Sequence, residues 1–156
     1  MHGVTKLSVM EDISLITFHK TPTDLLFMTE VFELFAARGI NVDMISQTAA
    51  QGFFCSLSFT VPGHLVISTL EAVGKCAHAH PDIKPLVSSG NSKISLFGEE
   101  MRDLPGVAAK ALRVLLQAGI DIRMITTSEV DISVLVSDVD LPAAVDALEM
   151  AFELKK

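Results

Sequence analysis

Apolar and polar positions follow two alternating rhythms along this chain. Residues 54–61 (FCSLSFTV) and 130–136 (VDISVLV) alternate apolar and polar positions, which predicts half-buried strands, and residues 13–18 (ISLITF) and 94–97 (ISLF) read as a further matching pair of strands. Between them, apolar residues return at i+3 and i+4: Phe27, Val31, Leu34 and Phe35 in one stretch, Val107, Ala111, Leu112 and Leu115 in another. That spacing places them on one face of a helix. Two further helices are expected, one from about His64 through Leu65, Leu70 and Val73. The other opens at Leu141-Pro142, where proline suits a first helical turn, and runs through Val145, Leu148 and Phe152.

The order is repeated. Residues 39–45 (GINVDMI) match residues 119–125 (GIDIRMI) at a spacing of eighty, and the preceding helices keep that spacing. The preceding strands are offset by eighty-one, so the intervening loop has gained or lost one residue. Each copy reads β-α-β-β-α. The first also has a closing strand at residues 83–88, giving the β-α-β-β-α-β order of the ferredoxin-like motif, whereas the second ends directly after its helix. The alternating segment 4–9 (VTKLSV) belongs to neither copy by simple order and can supply the missing strand. The expected class is therefore α+β: two ferredoxin-like domains with antiparallel sheets and helices on one face. Residues 10–90 form the first, inserted into a second made of residues 91–156 and completed by strand 3–9. The competing reading of residues 1–9 is a frayed terminus.

Composition narrows the function. With 12 Lys and Arg against 19 Asp and Glu, the net charge is −7, the wrong sign for gripping nucleic acid or an anionic membrane. Nine Phe without Trp or Tyr leave few stacking platforms for bases. No apolar run reaches the roughly 18 residues that a membrane span needs. The opening residues lack the apolar core of a signal peptide, so the cytoplasm is expected. Cys55 and Cys76 show neither metal nor redox spacing and read as buried hydrophobes. His78 and His80 could share a metal only on a strand; at a helix end they diverge, and no third ligand is evident, so no metal or other cofactor is expected.

Residues 120–134 (IDIRMITTSEVDISV) resemble the end of the second regulatory ACT domain of aspartokinases. Residues 40–47 (INVDMISQ) are similar to the matching stretch of the first, and residues 101–109 (MRDLPGVAA) resemble the loop and helix start before the second motif. The resemblance covers nearly the whole chain. It implies tandem ACT domains, one inserted in the other, usually paired with a second chain and binding lysine or threonine as a feedback inhibitor; an edge-rich pair of small sheets makes a homodimer the default expectation. No G-x-x-x-x-G-K or G-x-G-x-x-G segment is present, so phosphoryl transfer is not expected of these residues. The start at Met1 followed at once by family-like sequence favours a free-standing regulatory protein over a fragment of a longer enzyme.

A helix N-terminus offers unpaired amides and a favourable dipole to a ligand carboxylate, while the ammonium group needs acceptors. In the second copy the loop holding Met101, Asp103, Gly106 and Val107 is the expected cradle, with Asp121, Ser128 and Glu129 as acceptors. The plainer alternative keeps Gly106 for packing and Asp121 as a solvated strand end. In the first copy, Phe27 and Met28 at the helix start and Asn41, Asp43 and Gln47 on the following strand resemble the family's effector contacts. There the spacing sets Leu25-Leu26 opposite Pro105-Gly106, and Thr23 where many relatives have Asp, so that pocket is expected to be altered. Three readings follow: an amino-acid-binding regulatory module acting on a partner, such as a kinase chain; a ligand-free structural dimerisation module; and an intact enzyme, which lacks nucleophile, base and phosphate cradle.

Overall fold

The computed structural model describes residues 3–76 and 83–154. The chain divides into two compact units, Asp12–Gly90 and a second made of Met1–Glu11 with Asn91–Lys156. The strands are β1 (Lys6–Pro22), β2 (Asp43–Gln47), β3 (Phe54–Pro62), β4 (Pro85–Phe97), β5 (Met124–Thr127) and β6 (Asp131–Ser137). The helices are α1 (Leu25–Ala37), α2 (Val66–Cys76), α3 (Val107–Gln117) and α4 (Leu141–Ala151).

In the unit Asp12–Gly90 the strands lie in the order β2-β3-β1-β4, with β3 antiparallel to both β1 and β2. Alternation on β1 and β3 sends Ile16, Phe18, Leu57, Phe59 and Val61 into one core with Phe27, Val31 and Phe35 of α1 and Ala72 and Val73 of α2. Phe18, Phe32 and Phe35 all pack against the Phe59 ring at centroid separations of 5.4–5.7 Å, two of them edge-on. The other unit has the order β1-β4-β6-β5, where Val4, Ile94, Leu96, Ile132, Val134 and Val136 meet Val107, Ala111 and Leu115 of α3 and Ala144, Leu148 and Phe152 around α4. Thr5 N–H donates to the Phe97 carbonyl at 2.8 Å, tying the N-terminal segment to β4. A residue at position 98 larger than glycine would place its Cβ on the Gly3 carbonyl oxygen. These contacts hold Gly3 and Thr5 beside the end of β4 in this unit.

The repeat has a physical basis at the ends of α1 and α3. Gly39 and Gly119 adopt φ of 70° and 74°. Ile40 N–H donates to the Phe35 carbonyl at 2.9 Å and Ile120 N–H to that of Leu115 at 3.0 Å. The matching bonds from Gly39 to Ala36 and from Gly119 to Leu116 complete a Schellman closure in each copy.

Several expectations change in detail. Residues 6–9 of the expected segment 4–9 and residues 13–18, read as separate strands, form one continuous strand β1, which passes through a positive φ of 57° at Asp12. Residues 85–88 of the expected closing strand and residues 94–97 likewise merge into β4, while residues 83–84 precede it. The expected loop before α3 opens with a 3-10 turn, Glu99–Arg102, and Cys76 is half-buried where Cys55 is fully buried. His78 and His80 lie outside the described residues.

Candidate functional site

The two copies present different helix starts. In the unit containing α3, Gly106 is the N-cap at φ 92°, a left-handed conformation that an L side chain adopts only under strain, and no side chain caps the helix. The first intrahelical bond runs from Lys110 N–H to the Gly106 carbonyl at 2.9 Å, so the preceding amides point out of the helix end. Val107 is buried among the core residues and presses toward Gly3, so its side chain serves packing and only its amide faces the loop. Met101 is half-buried against the same core, and its N–H donates to the Gly98 carbonyl. Asp103 is exposed.

The structure brings this loop to the β5–β6 turn. Arg102 Nε lies 3.2 Å from Glu129 Oε2, and a second Arg102 nitrogen is 3.8 Å from Glu99. Ser128 Oγ accepts the Val130 N–H, and the Ser128 N–H donates to the Asp131 carbonyl. Glu129 and Ser128, expected as acceptors for an ammonium group, are thus engaged in the turn and its ion pair. Asp121 is exposed ahead of β5 and takes no part in this cluster.

In the unit containing α1 the helix begins at Leu25, two residues earlier in the repeat register than α3. Asp24 caps it: its Oδ1 accepts the Phe27 N–H at 3.1 Å. The Phe27 amide, expected to meet an effector, is already held by a carboxylate of the chain itself, and the Phe27 ring is in the core. Met28 is half-buried against that core, while Leu25 and Leu26 are exposed on the first turn. Asn41 and Gln47 are exposed and Asp43 is half-buried opposite Thr60. A register shift between Asp43 and Ser46 coincides with φ 45° at Met44. Asn41 lies before β2, not on it.

Sequence reasoning missed Asp24, although an aspartate ahead of an apolar helical run is an N-cap signal. It also missed Arg102, whose pairing depends on a turn distant in sequence. Among the described residues no group of three His, Cys, Asp or Glu is placed to hold a metal, and no helix is long and apolar enough to cross a membrane.

One unit of β-α-β-β-α-β order and a second of β-α-β-β-α order that takes a further strand from the N-terminus, each with a helix start beside a polar turn or strand, make up a tandem ACT-type regulatory module. A family profile of the ACT domain matches residues 94–152. The regulatory subunit of aspartate kinase from Thermus thermophilus, in its ligand-free form, is 30% identical and superposes with a TM-score of 0.87 over 96% of this chain and 99% of that one. A structure of aspartokinase alpha and beta subunits contains a chain 31% identical, with a TM-score of 0.84 and 99% of it covered. Aspartokinase 2 of Bacillus subtilis is 34% identical over 98% of this chain, which spans 37% of that protein's length. The chain belongs to the family of aspartokinase regulatory subunits, and these 156 residues are regulatory and hold no kinase domain.

Proposed function

We propose that this chain is an amino-acid sensor of the feedback type, binding lysine or threonine and passing the occupancy of its site to an aspartokinase catalytic chain or domain. The observation that carries the reading is the uncapped start of α3 at Gly106, which offers amides to a ligand carboxylate beside the acidic side chains of Glu129 and Asp103. Arg102 and Glu129 are both exposed, so their pair is weak and can exchange for the two charges of an amino acid.

The α1 copy supports the dimerisation reading for its own unit, since Asp24 occupies the amide that a ligand carboxylate would need. We infer a homodimer, the default for two small edge-rich sheets, and a cytoplasmic location. Regulation requires unequal affinity of the amino acid for two states of the assembly.

A thermal-shift scan against the protein amino acids tests this. A ligand at a hundred times its dissociation constant adds about 2.7 kcal/mol, several degrees for a protein of this size. A selective rise with lysine or threonine, lost in Gly106→Val, supports the sensor; no rise with any amino acid leaves the ligand-free dimerisation module.

A further inference from the structure

We propose a second ligand site, for a compact polyanion, at the end of β1 in the unit Asp12–Gly90. Two cavities of about 330 and 300 Å³ share His19 and Lys20 in their walls. The first is also lined by Thr48, Gln51 and Ser56, the second by Lys84. Phe27, Met28, Asn41, Asp43 and Gln47 are absent from the described lining of both, so this is not the α1 mouth.

Neighbouring residues of a regular strand point to opposite faces, yet His19 and Lys20 line the same cavities. The cause is a bulge. Phe18 pairs with Leu57 and Thr21 with Cys55, so His19 and Lys20 together oppose Ser56 alone. Ser56 Oγ donates to the His19 carbonyl at 3.4 Å, and Ser56 N–H donates to Thr48 Oγ at 2.8 Å. The Thr48 hydroxyl thereby keeps its own proton for a ligand. Lys84, just ahead of β4, adds a third basic group to the wall of the second cavity, beside His19 and Lys20.

No described residue forms an ion pair with His19, Lys20 or Lys84, whereas Arg38 and Arg102 are both paired to glutamates. None of the described lining residues is acidic, in a chain whose net charge is −7. Two lysines, an imidazole, a hydroxyl and an amide suit a ligand with two or more anionic oxygen groups, either a phosphate compound or a dicarboxylate.

Calorimetric titration of the whole chain in phosphate-free buffer, with pyrophosphate in one arm and succinate in the other, tests the site. Saturable binding is expected, weakened about tenfold by Lys20→Gln or Lys84→Gln, as for loss of a charge-assisted contact, and unchanged by Lys6→Gln. The arm that binds more tightly identifies the source of the anionic groups. All three lysines are exposed, so folding is expected to be unaffected, and circular dichroism checks it. Absence of saturable binding of either probe, or equal weakening by Lys6→Gln, overturns the proposal. The result is independent of the lysine or threonine scan, because neither probe is an amino acid and Gly106 lies in the other unit.

Discussion

The Asp24 carboxylate accepts the Phe27 amide proton at 3.1 Å, while eighty residues beyond Phe27 the helix carrying Val107 starts at a glycine with no side-chain cap. Two copies of one motif have thus reached different solutions for the same orphan donors. One helix start is closed by its own acid and the other stays available.

Asp24→Ala removes that cap. The unit Asp12–Gly90 is expected to lose about 1 kcal/mol of stability, with Asp24→Asn close to wild type because asparagine caps as well. Urea denaturation of the three proteins measures this, and a loss equally large in Asp24→Asn would show that the charge matters more than the cap.

Gly106→Ala meets no atom within 4 Å, so its cost is the left-handed backbone alone, about 1–2 kcal/mol. Amino-acid affinity is expected to fall with it, since the cradle we propose is built of backbone amides. Tighter binding in the alanine variant would remove Gly106 from the site.

Gly98→Ala forces the N-terminal strand away from β4, because the new methyl falls on the Gly3 carbonyl oxygen. Deleting residues 1–9 removes Val4, a core residue, along with the strand. Both changes are expected to unfold or loosen the unit built on α3 and α4 while the Phe59 core persists. Hydrogen exchange reads the two units separately, and full protection of α3 and α4 in the truncated chain would refute the assignment.

The Arg102–Glu129 pair is exposed on both sides, so Glu129→Gln is expected to shift stability by no more than about 0.5 kcal/mol. Its effect should lie in amino-acid affinity. A large stability loss with unaltered affinity would make the pair purely structural.

Burial raises the Cys76 thiol above its ordinary value, and Glu30 adds to the rise. A raised value means less thiolate at any given pH, hence slower alkylation than a free cysteine through the range where that cysteine titrates. Glu30→Gln lowers the value and is expected to speed alkylation at pH 8, which an iodoacetamide time course would show; a slower rate would contradict the electrostatic contribution.

The amino-acid sequence alone determined the element types, the eighty-residue repeat and the family. These rest on local quantities: the period of Ile94 and Leu96, the helical spacing of Phe27, Val31 and Phe35, and the glycines that close both helices. It also carried the loop around Gly106 that we propose as the ligand cradle, whose glycine is legible without a partner. Tertiary structure alone decided that segments on either side of Asp12 are one strand, and that Glu129 is held by Arg102. It decided as well that His19 and Lys20 line the same two cavities. Each of these depends on what lies opposite in space: a bulge exists only relative to the pairing of Phe18 with Leu57 and Thr21 with Cys55, and that register is set by burying Ile16 against Phe59, forty-three residues away.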